Sequence, residues 1–509
     1  MNESSGLDPH LPQPQYRRNE SPALPNEFDF GLFTKGRLIR HSAIFMVARM
    51  LPGLFGLATT AILTRLLDPQ EYGQYGLMLA VMMMGSMILF DWLGVSFLRF
   101  YQARPGDPSL IGTFVGLFCA LLALSVGVLL ALWATGAVPH ELIGAYTVGM
   151  VMVWAISWFE LLARFPVAQF QPMRYFRMHL IRSVAVTAGA TAGAWLTSNA
   201  VWTAIGTAAG ILVAAWSARS PIQRPSWARF DRELARHLLI FGVPLAVSMG
   251  LGSMIDGGTR LLLALLDSAQ ALGFYTAASV LVQSALGSIG MAVSTAGYSR
   301  VVLAVEREDH AAAQQHLLSN GALLLAVLAP ASIGLALTGK AIATIFVGPK
   351  LVSGVIALMP WMAASTFLSA MRANHLDQAF QLGKRPHLQI WMQLLAATTS
   401  VALCFYLIPT RGSVGAAMAL TAAMAVSGVY ALIMGRYAYW VPLPLAVGAR
   451  VAVCCGVMVL VIVALPDAGW TGLALRTVLG AVSYGLVALA VNLLGVRAQF
   501  AAFVKKALD

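Results

Sequence analysis

Apolar stretches of about 20 residues follow one another along almost the whole chain. A helix rises 1.5 Å per residue, so a stretch of about that length crosses a hydrocarbon core of about 30 Å. Only 11% of the residues are charged, whereas soluble domains average about 25%. These features predict an all-α, polytopic membrane protein with about fourteen transmembrane helices. Their approximate spans are 38–64, 73–98, 110–134, 142–163, 176–196, 200–218, 234–265, 273–301, 313–337, 351–377, 388–408, 413–436, 445–465 and 470–494.

Polar segments divide these helices into groups. Residues 1–35 are rich in proline and poor in apolar side chains, so we expect a disordered cytoplasmic tail. The remaining predicted units are an N-terminal six-helix bundle at 36–218, a basic cytoplasmic linker at 219–233, a C-terminal six-helix bundle at 234–440, and two additional transmembrane helices with a short basic tail at 441–509.

Lys and Arg residues concentrate in every second loop. With the basic tail in the cytoplasm, roughly 26 of them face inward and about six face outward. The outward residues are Arg65, Arg260, Lys340, Lys350, Arg411 and Arg476. Because cytoplasmic loops carry the basic excess, the pattern predicts a multi-pass protein of a bacterial inner membrane with both termini cytoplasmic. Topology and anionic membrane lipids then explain the net charge of +12, and nucleic-acid binding is not needed.

One phrase occurs twice. RLLDPQEYGQY at 65–75 and ALLDSAQALGFY at 264–275 each place Leu-Leu-Asp before a short loop and Gly-x-Tyr after it. The repeated residues are Asp68, Gly73 and Tyr75, and Asp267, Gly273 and Tyr275. Each copy is expected to be the outer hairpin between the first two helices of one half, so the two halves have the same orientation. Ordinary loop and interface residues are the alternative interpretation.

Three passages carry a resemblance to a known family. They are the phrase at 65–75, the F-G-V-P sequence at 241–244, and the block at 382–417 with L-G-K-R-P and L-I-P-T-R-G-S-V-G-A-A. The chain resembles the polysaccharide exporters and O-antigen or exopolysaccharide flippases (Wzx-like) of the multidrug/oligosaccharidyl-lipid/polysaccharide (MOP) superfamily. The resemblance implies fourteen helices in two bundles.

It also implies a function. The cargo would be a polyprenyl-diphosphate-linked oligosaccharide, moved between leaflets by alternating access, with a polysaccharide polymerase and a chain-length regulator as further partners. A sugar head and a diphosphate cannot cross hydrocarbon unaided, whereas an isoprenoid tail can stay in lipid. A wet cavity between the halves, lined with cations, would suit this task.

Arginines inside the predicted spans are the candidate cargo-binding cations, because charge at membrane depth is costly. Arg49 has no local partner, and its guanidinium suits phosphate oxygens. Arg260 and Arg372 are further cavity candidates. For Arg49 the alternatives are an ion pair with Asp91 or a side chain that reaches the interface. Arg182 and Arg372 lie nearer the cytoplasmic ends, which favours interfacial placement of both.

Carboxylates at the same depth are candidates for coupling-ion binding or for structural ion pairs. They are Asp91, Glu160, Asp256 and Asp377. Asp256 and Arg260 are four residues apart, as are Glu160 and Arg164, so each pair can neutralise itself on one helical face. Transport coupled to H⁺ or Na⁺ is possible on this pattern, and spacing alone does not choose the ion.

Backbone features predict where the halves bend and where helices pack closely. Pro52 and Pro244 occupy corresponding helices of the two halves and are hinge candidates. The glycine pairs Gly189/Gly193 and Gly206/Gly210 are typical of close helix packing.

Other chemistries lack their signatures. The sequence contains no G-x-x-x-x-G-K-[ST] loop, no zinc spacing and no disulfide framework, so we expect no cofactor or metal and no enzyme activity. The rival functions are a lipid II flippase or an ion-coupled multidrug exporter on the same scaffold. A polymerase, ligase or glycosyltransferase acting on lipid-linked sugars is a more distant rival, because the predicted outer loops are very short.

Overall fold

The computed structural model describes residues 35–103, 107–136, 140–218, 230–467 and 469–497. The predicted tail, except Lys35, and most of the predicted linker lie outside these ranges. All regular secondary structure in the described residues is helical, as the sequence predicted. The protein is a multi-pass, all-α membrane protein.

Six helices form the N-terminal half. They are α1 (Lys35–Leu66), α2, α3 (Pro108–Thr135), α4 (His140–Ala168), α5 (Pro172–Thr197) and α6 (Ala200–Ser217). The α2 helix runs through Pro69–Ser86, a π-helical segment Met87–Asp91, and Trp92–Ala103.

Six more helices form the C-terminal half. They are α7 (Arg232–Leu266), α8 (Ala269–Glu306), α9 (His310–Leu337), α10, α11 (386–411) and α12 (413–438). The α10 helix runs through Val352–Met371, a π-helical segment Arg372–Leu376, and Gln378–Leu382. A short helix, Gly339–Phe346, precedes it. Two further helices follow, α13 (Leu445–Val463) and α14 (Gly469–Ala490).

The helix count agrees with the sequence prediction. Eleven helices in the described ranges are long and apolar enough to cross a membrane when 386–438 is counted once. Gly412, with φ 55° and ψ −136°, interrupts that segment and separates α11 from α12. The remaining two, α5 with 26 residues and α8 with 38, are also long enough to cross. Fourteen segments of membrane-crossing length result.

Two predicted helix starts are four residues late. The second and eighth spans were expected from 73 and 273, whereas α2 begins at Pro69 and α8 at Ala269. Proline at the first helical position has a φ suited to a helix, and the Ser268 hydroxyl accepts a hydrogen bond from the Ala271 amide at 3.2 Å. Gly73 and Gly273 therefore lie one turn inside their helices.

Glycines bring α5 and α6 into close contact. A Cβ atom at Gly206 would lie 2.1 Å from the Gly189 carbonyl oxygen, and one at Gly193 would lie 2.3 Å from the Trp202 carbonyl oxygen. Only glycine fits at such a distance. The close packing predicted from these glycines is confirmed.

The two halves meet through α1 and α2 on one side and α7 and α8 on the other. Their helices run between two ends of the bundle. We call the end that carries the α1–α2 and α7–α8 loops (67–68 and 267–268) the hairpin face, and the opposite end, where α7 begins at Arg232, the basic face. The α13 and α14 helices pack outside the two halves against α9, through Ala326, Val451 and Cys455.

Candidate functional site

At the hairpin face the two copies of the repeated phrase cross each other. A Cβ atom at Gly73 would lie 1.6 Å from the carbonyl oxygen of Ala269. One at Gly273 would lie 2.5 Å from the carbonyl oxygen of Pro69. Each glycine thus packs on the residue four positions before the other glycine, so the contact is the same in both directions. We call these four residues the glycine crossing.

Further contacts between the halves surround the crossing. The Gly348 amide donates to Thr64 Oγ1 at 2.9 Å, and Arg65 Nη2 donates to the Ile345 carbonyl at 2.6 Å. Lys350 pairs with Asp68. Backbone, hydroxyl and charged contacts together hold the two halves against each other at the hairpin face.

A polar cluster lies directly beneath this closure. Arg260 Nη2 donates to Asp256 Oδ2 at 3.1 Å and to Ser279 Oγ at 2.9 Å. The Tyr275 hydroxyl donates to Asp256 Oδ1 at 3.2 Å. We call Asp256, Arg260, Tyr275 and Ser279 the central cluster. The Asp256–Arg260 pair expected from their spacing is present, and the bonds to α8 are additional.

Towards the basic face, open space adjoins the central cluster. The Asp256 side chain is 37% exposed, whereas that of Arg260 is 6% exposed. Gln283, whose amide donates to Ser279 Oγ at 3.0 Å, is exposed, and Gly287 one turn further has no neighbour within 4 Å. Asp256 and Gln283 are therefore accessible beside the contact between the halves, which continues towards the basic face where Arg99 lies over the ring of Phe241 at 4.3 Å.

A second charged group lies inside the N-terminal half. Glu160 Oε1 accepts from Arg182 Nη1 at 3.1 Å, and Arg164 Nη2 lies 4.0 Å from Glu160 Oε2. Arg182 also lies over the ring of Phe159, at 4.9 Å from its centroid. The expectation that Arg182 reaches the interface is wrong, because a carboxylate on the neighbouring helix holds it. Asp91 lies at the end of the π-helical segment of α2.

A third group lies inside the C-terminal half. Arg372 Nη1 donates to Ser427 Oγ at 2.9 Å, and its Nε lies 3.7 Å from Asp377 Oδ2. Both charged side chains are buried, and Arg372 again does not reach the interface. The bond from Arg372 to Ser427 ties α10 to α12, whereas the pair with Asp377 lies within α10.

The remaining candidates are Arg49, Pro52, Pro244 and Tyr75. Arg49 belongs to α1, and its side chain lies outside the described structure. Pro52 and Pro244 lie inside the uninterrupted helices α1 and α7, so their role as hinges stays a prediction. Tyr75, like its counterpart Tyr275, bonds within its own half, to Thr207 Oγ1 at 3.1 Å.

The sequence predicted the Asp256–Arg260 pair within one helix, but it did not predict the contacts between helices. The repeated Gly-x-Tyr was the one sequence feature that marked the contact between Gly73 and Gly273. It was interpreted only as part of two hairpins. Nothing local links Glu160 to Arg182, which lie on different helices. The charged candidates among the described side chains therefore lie in three separate groups, and the cation-lined cavity between the halves stays a prediction.

No group of three or more His, Cys, Asp or Glu side chains in the described ranges could hold a metal ion. The four cysteines, Cys119, Cys404, Cys454 and Cys455, are free thiols. The arrangement offers ion pairs, hydroxyls and space between two halves, which suits binding and movement of a polar solute.

A protein-family model described as a polysaccharide biosynthesis protein matches residues 38–298, just over half of the chain. The chain belongs to this family. Curated proteins gave no match. Among solved structures, this polysaccharide biosynthesis protein is similar to the lipid II flippase MurJ in an inward closed conformation. The identity is 14% and the TM-score 0.70, with 88% of this chain and 99% of MurJ covered.

This polysaccharide biosynthesis protein is also similar to an inward-facing multidrug resistance MATE family transporter of the MOP superfamily. The identity is 14% and the TM-score 0.56, with 76% of this chain and 94% of the transporter covered. At this identity the likenesses show the fold, which this chain shares with both proteins.

Proposed function

We propose that this protein flips polyprenyl-diphosphate-linked oligosaccharide repeat units across the bacterial inner membrane, for the biosynthesis of O-antigen, capsule or exopolysaccharide. The observation that carries the proposal is the match of residues 38–298 to the polysaccharide biosynthesis family. The superfamily fold supports transport rather than catalysis, because its solved members are named as a flippase and a transporter.

In this proposal the hairpin face is periplasmic and the basic face cytoplasmic. The glycine crossing is then the periplasmic closure between the halves, and the central cluster lies directly on its cytoplasmic side. The diphosphate of a cargo entering from the cytoplasm would meet Arg260, which Asp256 neutralises when no cargo is present. Arg49 remains the other proposed diphosphate ligand.

A second candidate cargo is lipid II. The observation that favours it is the TM-score of 0.70 to MurJ together with coverage of 99% of that chain. Both cargoes present a diphosphate on an isoprenoid tail, so the same cations would serve either one. The family match favours the polysaccharide repeat unit.

A polysaccharide polymerase and a chain-length regulator are proposed partners, since a flipped repeat unit must be polymerised in the periplasm. Exchange with H⁺ or Na⁺ is the proposed driving force. Neither proposal is needed for the test of the cargo.

Depletion of the protein in its own host tests the cargo. Lipid-linked repeat units should accumulate on the inner leaflet and surface polysaccharide should fall, because the polar head cannot cross hydrocarbon unaided. Extracted lipid carriers, analysed by mass spectrometry before and after periplasmic glycosidase treatment, report the leaflet. Wild-type protein supplied in trans should restore export, and Arg49→Ala should restore much less.

Two results would contradict the proposal. If lipid II accumulated while repeat units were exported normally, the cargo would be lipid II. If neither lipid accumulated, flipping of an isoprenoid diphosphate would be excluded.

A further inference from the structure

A small cavity lies inside the N-terminal half, apart from the central cluster. The volume of the cavity is about 10 Å³, which is room for one water molecule. Polar side chains of Asp91, Ser157, Glu160 and Arg164 line it, with the rings of Phe90, Phe114 and Phe118 completing the wall. A polar space of this size holds one water molecule when two to four partners are within reach.

The Ser157 hydroxyl indicates that the cavity receives a polar occupant. Ser157 is 2% exposed, and its Oγ has no hydrogen-bond partner. Other buried helical serines donate to a carbonyl one turn earlier, as Ser96 does to Trp92 at 2.9 Å and Ser183 to His179 at 2.8 Å. A buried hydroxyl left without a partner is destabilising, because it loses its hydrogen bonds to water and gains none in the protein. A water molecule in the cavity removes that cost.

The two carboxylates at the cavity differ in their partners. Glu160 is neutralised by Arg182 at 3.1 Å, with Arg164 at 4.0 Å. Asp91 makes no ion pair within 4 Å to any described side chain. Its position ends the π-helical segment Met87–Asp91, and such segments occur frequently at functional sites. Asp91 is only partly buried, so solvent protons can reach it.

We propose that Asp91 is a proton-binding site that shares one bound water molecule with Ser157. A hydronium ion in the cavity transfers its proton to a carboxylate oxygen of Asp91 and leaves a neutral carboxyl group and a water molecule. The reverse step returns the proton to water. Partial removal from water disfavours the charged form of Asp91, the Arg164 guanidinium on the same cavity opposes that effect, and the water bonds to either form.

The groups that face Asp91 favour a proton over a metal cation. From α4 come Glu160 and Arg164, and from α5 comes Arg182, which binds Glu160. From α3 come only Phe114 and Phe118, and the described part of α7 packed on this stretch of α2 offers Gly250 against Ile88. The Arg164 guanidinium repels a bound Na⁺, which keeps its charge, more than a transferred proton, which leaves a neutral carboxyl group. The cavity is also too small for a sodium ion with coordinating water.

Infrared difference spectroscopy of the purified full-length protein in nanodiscs, between pH 8 and pH 5, tests the site. Wild type should show a protonated-carboxyl band that shifts in D₂O, and Asp91→Asn should lose that band. Ser157→Ala should keep the band at a shifted frequency, because a hydrogen bond to the bridging water changes. Asp256→Asn and Asp377→Asn are matched controls that should keep it unshifted.

An unchanged band in Asp91→Asn overturns the proposal. So does a band that responds to Na⁺ instead of pH, which would assign a sodium site. A band that appears only in Arg49→Met would show that Arg49 holds Asp91 ionised, and would also overturn it. Use of this proton to drive flipping rests on the proposed function. The spectra need no cargo, so they can fail or succeed independently of that function.

Discussion

Single residues in this protein show how buried charge is tolerated at membrane depth. Arg260 is held by the Asp256 carboxylate on its own helix and by the Ser279 hydroxyl on the next. Tyr275 donates to the same carboxylate. A buried ion pair offsets its desolvation cost only when further hydrogen bonds satisfy both partners. The central cluster meets that condition at Arg260 Nη2 and at both Asp256 oxygens, although the buried Arg260 Nε has no partner, and the exposed side of Asp256 is where cargo can compete for the pair.

Asp256→Asn should lower the free energy of unfolding by about 1–3 kcal/mol, because the buried guanidinium loses its charged partner. The expected loss is below that of a fully buried pair, since Asp256 is partly exposed. Denaturation in mixed micelles measures it. Asp68→Asn is the control, and its exposed pair with Lys350 should contribute no more than about 1 kcal/mol. Equal effects of the two variants would refute the role of burial.

At the scale of helices, glycine decides where two backbones meet. The α5–α6 pair and the crossing of α2 with α8 both place a glycine against a carbonyl oxygen of the other helix. The first contact lies within one half and fixes its shape. The second joins the halves, so alternating access requires it to open and close.

Gly73→Ala should hold the hairpin face open, because the new Cβ atom would overlap the Ala269 carbonyl. Thr276 is fully buried against Gly76 beside the glycine crossing. A Thr276→Cys substitution, made in a background without the four native cysteines, therefore reports whether the hairpin face has opened. Labelling by a membrane-impermeant maleimide should rise several-fold with Gly73→Ala.

The control for that experiment is Gly127→Ala, at a helical glycine with no neighbour within 4 Å. It should leave labelling unchanged. Equal labelling of the Gly73 variant and the control would mean that the crossing is not the closing contact.

For the whole molecule, basic side chains lie at both faces. On the hairpin face several of them bind protein groups. Arg476 donates to the Leu465 and Leu337 carbonyls, and Lys340 pairs with Asp467, which lowers the pKa of that carboxyl group below its usual value. On the basic face arginines are exposed, as at Arg232, Arg236, Arg300, Arg307, Arg385, Arg436 and Arg450. Exposed arginines can contact anionic lipid headgroups, as expected of a cytoplasmic face.

Labelling of intact cells tests this orientation. Thr135→Cys, at the exposed end of α3 on the hairpin face, should react with an impermeant maleimide. Glu306→Cys, at the exposed end of α8 on the basic face, should react only after the cells are permeabilised. Native cysteines are replaced in both variants. The opposite pattern would invert the topology and place the closed end in the cytoplasm.

The sequence by itself determined the fourteen helices, the repeat of Asp-Gly-Tyr and the Asp256–Arg260 pair, because apolar length and helical spacing are local properties. Tertiary structure decided which helix faces meet. It placed Gly73 on Ala269, joined Glu160 to Arg182 and buried Arg372 beside Asp377. A helix that is apolar nearly all round, such as α3, does not encode its own rotation about its axis. Contacts between distant helices therefore follow only from packing of the whole bundle.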